Sequence, residues 1–208
     1  MRTDGTEDTY GRAPDAPGRG NIHTPAGPSN RSTPPWKPVR AVIFDIGDVV
    51  TKPKYGRTYK HAMRRLDGML SHFAGESSAL RSFVINQRRA YRLNEDVLAI
   101  IDKLHAAGYV TPSITNTPSA RFERDERLRG NKVFDDVVES AKLGISKPDK
   151  RIYEHALRRF GLQPDECVFV DDKEENLAPA AEMGMRTVLF KSAKRLKDDL
   201  RKLGVRIV

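Results

Sequence analysis

Ala41-Val42-Ile43-Phe44-Asp45-Ile46-Gly47-Asp48-Val49-Val50 is the stretch on which the reading of this chain turns. Four apolar residues run straight into an Asp, and a Gly follows two places later. A short apolar run of this kind suits a strand buried on both faces. Gly47 suits a backbone that turns sharply or comes close to a ligand. A carboxylate at the tip of a central parallel strand sits where open α/β sheets bind their ligands. Taken alone, the stretch reads more simply as an ordinary strand-to-loop turn, so its meaning depends on what the rest of the chain brings to it.

Upstream, residues 1–38 hold seven prolines and five glycines with few apolar residues, too little to offset the entropy of ordering. They read as a disordered tail, leaving 39–208 as a single domain. Downstream, residues 52–92 read as an insert of two short helices, a small helical cap. Tyr59, Met63, Leu66, Leu70 and Phe73 form one apolar stripe, and Leu80, Val84, Gln87 and Tyr91 a less regular second. Asn94 is placed to cap a further helix with its stripe at Val97, Ile100, Ile101 and Leu104, closed by Ala106-Ala107-Gly108. Tyr109–Ile114 reads as a strand despite Pro112, and Val133–Ser140 as another. A helix opens at Pro148 or Asp149 and carries Ile152, Tyr153, Ala156, Leu157 and Phe160, ending at Gly161. Then come the strand Cys167–Val170, a helix from Glu174 to Met183, a strand Thr187–Phe190, a basic helix near 193–203, and Val205–Val208 as a last edge strand. Strands alternating with helices give an α/β fold, a Rossmann-like parallel sheet flanked by helices.

The formal charge is +9, and its placement says more than its size. The insert 52–92 has ten basic and two acidic residues, while 1–40 has six basic and four acidic, so the excess belongs to the insert. Such a concentration reads either as a solvated helix face or as an attractor of anions. It lacks aromatics interleaved at base-stacking spacing, which argues against a nucleic-acid partner. The single cysteine, Cys167, rules out an internal disulfide framework and sits within an apolar strand, where a buried hydrophobe is the simple reading. No signal-peptide pattern opens the chain and no apolar run approaches membrane-spanning length, so a membrane is not expected and the cytoplasm is the default location.

Three strands end in polar groups: Asp45, Thr115-Asn116 and Asp171-Asp172. In a parallel sheet these tips share one edge and can converge, with Lys147 joining them from a helix start. Together they are the parts of a phosphoryl-transfer site. A carboxylate attacks phosphorus. Other carboxylates hold Mg2+, a hard cation that prefers oxygen. A hydroxyl, an amide and an ammonium neutralise the phosphoryl oxygens.

The order and local sequence of these groups resemble the haloacid dehalogenase (HAD) superfamily of aspartate-nucleophile phosphohydrolases, over about Val39 to Phe190. Phe44-Asp45-Ile46-Gly47-Asp48-Val49-Val50 is similar to its first motif, Ile114-Thr115-Asn116-Thr117 to the second, and Ser146-Lys147-Pro148-Asp149 to the third. Val170-Asp171-Asp172-Lys173-Glu174-Glu175-Asn176 is similar to the fourth. The resemblance implies Asp45 as nucleophile, Thr115 and Asn116 as phosphoryl-binding groups, and Lys147 as the cation that orients the nucleophile and offsets charge. It implies Mg2+ held by Asp45, Asp171, Asp172 and the Gly47 carbonyl, and a small phosphorylated substrate.

Two departures bear on function. The family's commonest pattern places an acid-base Asp two residues after the nucleophile, and here that position is Gly47; this Asp-x-Gly form resembles a branch that includes sugar phosphatases and the N-terminal domains of some epoxide hydrolases. The cap is also short, which would admit bulkier substrates. The leading expectation is a Mg2+-dependent phosphomonoester hydrolase working through an aspartyl-phosphate. Two alternatives stand beside it: a catalytically weak HAD-like domain that binds an anionic partner, and a dehalogenase, against which the Asp171-Asp172 pair argues. The sequence leaves the oligomeric state open.

Overall fold

The computed structural model describes residues 22–23, 37–54, 61–62, 65–66, 68–69, 91–116, 127–128 and 133–207. Its organising element is β2 (Ala41–Phe44), every residue of which is buried. On one side β2 pairs in parallel with β7 (Cys167–Asp171), Ala41 to Phe44 lying opposite Cys167 to Val170, and β7 pairs with β8 (Arg186–Leu189). On the other side come β5 (Ser113–Thr115) and β6 (Val137–Glu139), also parallel. A two-residue strand, β1 (Ile22–His23), adds antiparallel to β8, giving the order β1-β8-β7-β2-β5-β6. The chain leaves β2 for β5 and β6, then crosses back to β7 and β8. The strand order therefore reverses at β2, and its carboxyl end is the topological switch point of the sheet.

Alternate residues of the central strands feed two cores, one on each face, as the period of two requires. Val42 and Phe44 of β2 with Val168 and Val170 of β7 meet α1 (Glu95–Ala106) and α5 (Ala193–Lys202). Ala41, Ile43, Cys167 and Phe169 meet α3 (Lys150–Phe160) and α4 (Glu174–Glu182). The expected stripes hold: Val97, Ile100, Ile101 and Leu104 are buried on α1, and Ile152, Tyr153, Ala156 and Leu157 on α3. The Asp149 carboxylate caps α3 by accepting from the Arg151 N–H, and Gly161, at φ 64°, ends it.

Several elements differ from expectation, each for a local reason. The strand read over Tyr109–Ile114 is regular only from Ser113. Pro112 has no N–H to give, although its carbonyl accepts from Phe44 N, and Val110 makes a lone bridge to Ala41. No strand forms over 205–207; Val205 packs into the core and the edge of β8 is covered by β1, taken from the stretch read as tail. The insert begins and ends not in helix but in an antiparallel pair, β3 (Thr51–Pro53) with β4 (Tyr91–Leu93). Between them residues 61–62, 65–66 and 68–69 are helical, and the remainder of the two expected cap helices lies outside the described residues, as does most of 1–36. Asn94 occupies the N-cap position of α1, yet its amide donates to the Val49 carbonyl at 3.1 Å instead of capping. With Thr51, whose hydroxyl donates to Ile46 O at 3.0 Å, it fixes the wide turn Ile46–Val50 that joins β2 to β3. In that turn Gly47 has an ordinary backbone (φ −70°, ψ 125°), and the left-handed residue is Asp48 (φ 60°). The sharp bend assigned to Gly47 thus belongs to its neighbour, one of the few side chains that tolerate it.

Candidate active site

The carboxyl ends of β2, β5 and β7 deliver Asp45, Thr115 and Asp171 to one edge. Asp45 follows β2 directly, its N–H bonded to Val170 O of the neighbouring strand. Asp171 is the last residue of β7 and Asp172 the first beyond it. Thr115, wholly buried, ends β5. Lys147 arrives from the other direction: α2 (Ser140–Leu143) stops at Gly144, φ 68°, and the chain turns inward before α3 starts. Of the six residues predicted to converge, Asp45, Asn116, Lys147 and Asp171 are joined by hydrogen bonds, Asp172 lies within 4.8 Å of Asp45 and Asp171, and Thr115 stands at the tip of β5 between Ile114 and Asn116.

Lys147 is the hub. Its ammonium, 1 % exposed, donates to Asp45 Oδ1 at 2.7 Å, Asp171 Oδ2 at 2.8 Å and Ile114 O at 2.8 Å, using all three of its protons. It also lies 5.3 Å from the Phe169 ring centroid, a cation–π distance. Its backbone is gripped by Asn116, whose Oδ1 accepts from Lys147 N and whose Nδ2 donates to Lys147 O, both at 2.9 Å. Both amide groups of Asn116 are therefore spent on placing Lys147. Asp45 gives one oxygen to Lys147, and its Oδ2 accepts no hydrogen bond among the described residues.

The electrostatics follow from the count. Asp45, Asp171 and Asp172 each offer a carboxylate oxygen within 4.8 Å of the others, against one ammonium. Burial raises the Asp45 carboxyl to about 6; Lys147 opposes this, while Asp171 and Asp172 reinforce it. Burial works against the Lys147 charge, but Asp45 and Asp171 together outweigh it and raise the ammonium above its ordinary value. Asp45 and Asp171 share one buried ammonium and Asp172 lies beside them, an oxygen-rich acidic set that suits a divalent cation. The donors are all hard oxygens, the ligand type Mg2+ prefers. On the chemistry of this donor set, the residues present fit the ion.

Three residues that sequence reasoning had not assigned to the site belong to it. Asn176, in the first turn of α4, donates to both oxygens of Asp171 at 3.0 Å. The Tyr153 hydroxyl donates to Asn176 O at 2.7 Å, and the Tyr153 ring stands edge-on to Phe169, centroids 5.5 Å apart. Burial, reinforced by Asp171 and Asp45, holds that hydroxyl protonated. Tyr153 and Phe169 had been read only as apolar positions. Asn176 carried a signal, since an amide four residues past Asp172 in the first helical turn faces back toward the strand tip.

A family model for haloacid dehalogenase-like hydrolases matches residues 72–184. The chain belongs to that family. Among curated relatives, the glyceraldehyde 3-phosphate phosphatase of Methanothermobacter thermautotrophicus is 30% identical over 166 residues, covering 76% of this chain and 68% of the relative. Bifunctional epoxide hydrolase 2 of Rattus norvegicus is 30% identical over 128 residues, which is 59% of this chain but 23% of that protein. Acyl-CoA dehydrogenase family member 10 of Mus musculus is 31% identical over 133 residues, 63% of this chain and 12% of that protein. The chain thus spans under a quarter of these two long relatives. A predicted HAD-like family hydrolase from Porphyromonas gingivalis superposes with a TM-score of 0.60 at 18% identity, over 81% of this chain and 98% of that one. A HAD family enzyme of Bacteroides thetaiotaomicron, solved with magnesium and inorganic phosphate, gives 0.59 at 16% identity, over 74% and 94%. These likenesses establish the fold. No helix among the described residues is long and apolar enough to cross a membrane.

Proposed function

We propose that the protein is a Mg2+-dependent phosphomonoester hydrolase of the cytoplasm, acting through an Asp45 phosphoenzyme on a small phosphorylated metabolite. The observation that carries this reading is the buried Lys147 bridge between Asp45 and Asp171 at 2.7 and 2.8 Å, which leaves Asp45 Oδ2 open beside two further carboxylates. Asp45, Asp171, Asp172 and the Gly47 carbonyl are the groups that would hold Mg2+, and the bound ion would supply charge to the transferring phosphoryl group.

The chain's own residues account for the rest. Asp45, as carboxylate, attacks phosphorus; the ester P–O bond breaks and the leaving oxygen departs with the bonding pair. Lys147 fixes the trajectory of Asp45 by holding Oδ1, and the Thr115 hydroxyl, with the field of the Lys147 ammonium rather than a hydrogen bond from it, stabilises the developing phosphoryl charge. Water then attacks the phosphorus of the aspartyl-phosphate, the acyl P–O bond breaks, and Asp45 and inorganic phosphate are regenerated. Gly47 supplies no proton to the leaving oxygen at the first step. The preferred substrates are therefore ones whose leaving group departs unassisted, such as acyl and anomeric phosphates, because positioned proton transfer is worth about 10²–10⁴-fold for poorer ones. The test is hydrolysis of an aryl phosphate with and without Mg2+. Turnover that requires the ion and falls by about 10³-fold or more in Asp45→Asn is the expected result. Metal-independent turnover, or full activity in Asp45→Asn, refutes the proposal.

A further inference from the structure

A strand at the rim of a sheet presents a row of backbone donors and acceptors that a second chain can pair with. Proteins blunt such edges with charge, proline, a bulge or a very short strand. The two rims of the parallel sheet differ in this respect. β6 is three residues long, follows Asp135-Asp136 and ends in Glu139. β8 is Arg186-Thr187-Val188-Leu189, buried throughout and in unbroken register with β7. It has no proline and no bulge, and its one charge is turned inward. The Arg186 guanidinium, 3 % exposed, donates to the carbonyls of Lys37, Asp165 and Leu203. Phe190 N donates to Asp171 O of β7. By the alternation of a strand, Thr187 and Leu189 therefore turn their N–H groups away from β7, toward the rim. That rim is met by two residues of β1, His23 opposite Thr187 and Ile22 opposite Val188.

The segment that carries β1 is rooted at the same strand. Arg186 holds Lys37 O, Lys37 Nζ pairs with Asp165 at 3.1 Å, and Arg40 meets Glu166 through its side chain at 3.2 Å and its N–H at 2.9 Å. Because β1 is antiparallel to β8, its direction beyond His23 is toward the amino end of β8, where Lys37 sits. Joined to that root by 13 residues, 24–36, β1 is presented to the rim at a high local concentration, of order millimolar for a short tether.

We propose that the outer edge of β8 is a self-complementary docking surface for a second copy of this chain, and that β1 is the built-in strand that occupies it and keeps the protein monomeric. Two β8 edges meeting about a two-fold axis run antiparallel and offer each other the same donors and acceptors, an isologous contact that closes on itself. The inward turn of Arg186 removes the charge that would otherwise oppose such a pairing, while its bond to Lys37 O roots the strand that prevents it.

The experiment compares the full chain as wild type and as His23→Pro, by sedimentation velocity at about 10 and about 300 μM, which bracket the affinity of a small interface, and by amide hydrogen exchange at Thr187. Proline at 23 takes away the N–H that faces Thr187 and leaves the ladder between β8 and β7 untouched. Wild type is expected to be monomeric at both concentrations with the Thr187 amide protected. His23→Pro is expected to melt within about 4 °C of wild type and, when dilute, to exchange the Thr187 amide about tenfold or more faster. At the higher concentration it is expected to dimerise and protect that amide again. Adding Thr187→Pro removes an outward N–H of β8 and is expected to restore the monomer; a double variant that still dimerises places the contact elsewhere and overturns the proposal. A wild type that dimerises, a His23→Pro chain that stays monomeric at both concentrations, or an unchanged Thr187 exchange rate in it also overturns the proposal. So does a His23→Pro chain that fails to fold, since β1 would then build the domain instead of guarding it. Should the double variant not fold, the concentration dependence and exchange of His23→Pro decide alone.

Discussion

Replacing Lys147 by Met tests the electrostatic account of the site most directly. Met keeps an apolar stem against Phe169 but removes the ammonium that sits between Asp45 and Asp171, 1 % exposed. Taking one partner from a buried ion pair leaves an uncompensated charge and costs about 3–5 kcal/mol. For a domain of this size that is a fall in melting temperature of roughly 6–20 °C, at about 2–4 °C per kcal/mol. The loss should depend on pH with a definite sign. Burial, with Asp171 and Asp172 adding to it, holds Asp45 at about 6 even with Lys147 present, above its unfolded value of 3.8. The folded state therefore binds the proton more tightly, and this group's contribution to stability grows as pH falls through about 6 toward 4. Without Lys147 the carboxyl rises further, so the penalty measured in urea melts should be full at pH 7 and visibly smaller at pH 5. A penalty below about 1 kcal/mol at pH 7, within the range of a surface pair, would refute the reasoning. So would one of equal size at the two pH values.

Other outcomes follow from the same geometry. Gly47→Asp introduces no backbone strain, because φ −70° and ψ 125° are open to any residue. Its melting temperature should match wild type, and turnover of an alkyl phosphate should rise by up to about 10²–10⁴-fold; unchanged turnover would show that the absent acid does not limit the reaction. Asp48→Val places a β-branched residue at φ 60° and should cost about 1–2 kcal/mol in a urea melt, whereas the same change at Gly47 should carry no such conformational cost. Asn116→Ala removes both bonds to the Lys147 backbone and should lower kcat more than it raises KM for an aryl phosphate, since the group it positions acts on the transition state.

The fold was legible where apolar periodicity and strand-tip chemistry coincide. Ala41–Phe44 and Cys167–Val170 are buried on both faces and could only be central strands, and the residues that end them were readable as a converging set. The stripe on α1 was equally plain. What the sequence concealed lies in groups whose role depends on a partner far along the chain. Asn94 has the composition of a helix cap, but the carbonyl of Val49, 45 residues away, takes its amide. Gly47 drew attention because glycine permits unusual backbone, yet the turn is closed by Thr51 and Asn94 in a way that leaves the strained angles to Asp48. Tyr153 satisfies the helical stripe as any aromatic would; only the packing of α3 on α4 shows that its hydroxyl has a task.

The arrangement of charge gives the site an order of events on the proposed reading. Asp45, Asp171 and Asp172 gather around one buried ammonium, and Lys147 has no proton to spare, since its three are held by Asp45, Asp171 and Ile114. A phosphate dianion approaching Asp45 Oδ2 would meet net repulsion in a buried setting where screening by solvent is weak. Loosening Lys147 from Asp171 to greet the phosphate would expose the buried Asp171 charge, and Asn176 alone cannot compensate for that. The negative charge of the pocket is therefore best neutralised from outside the chain before substrate enters. The hydrogen bonds that Lys173 N and Asn176 make to Asp171 keep the lysine bridge intact while this happens. A buried polar network that is fully satisfied resists rearrangement. Here Lys147 and both oxygens of Asp171 are engaged, while Asp45 Oδ2, where the chemistry is proposed to occur, accepts no hydrogen bond among the described residues.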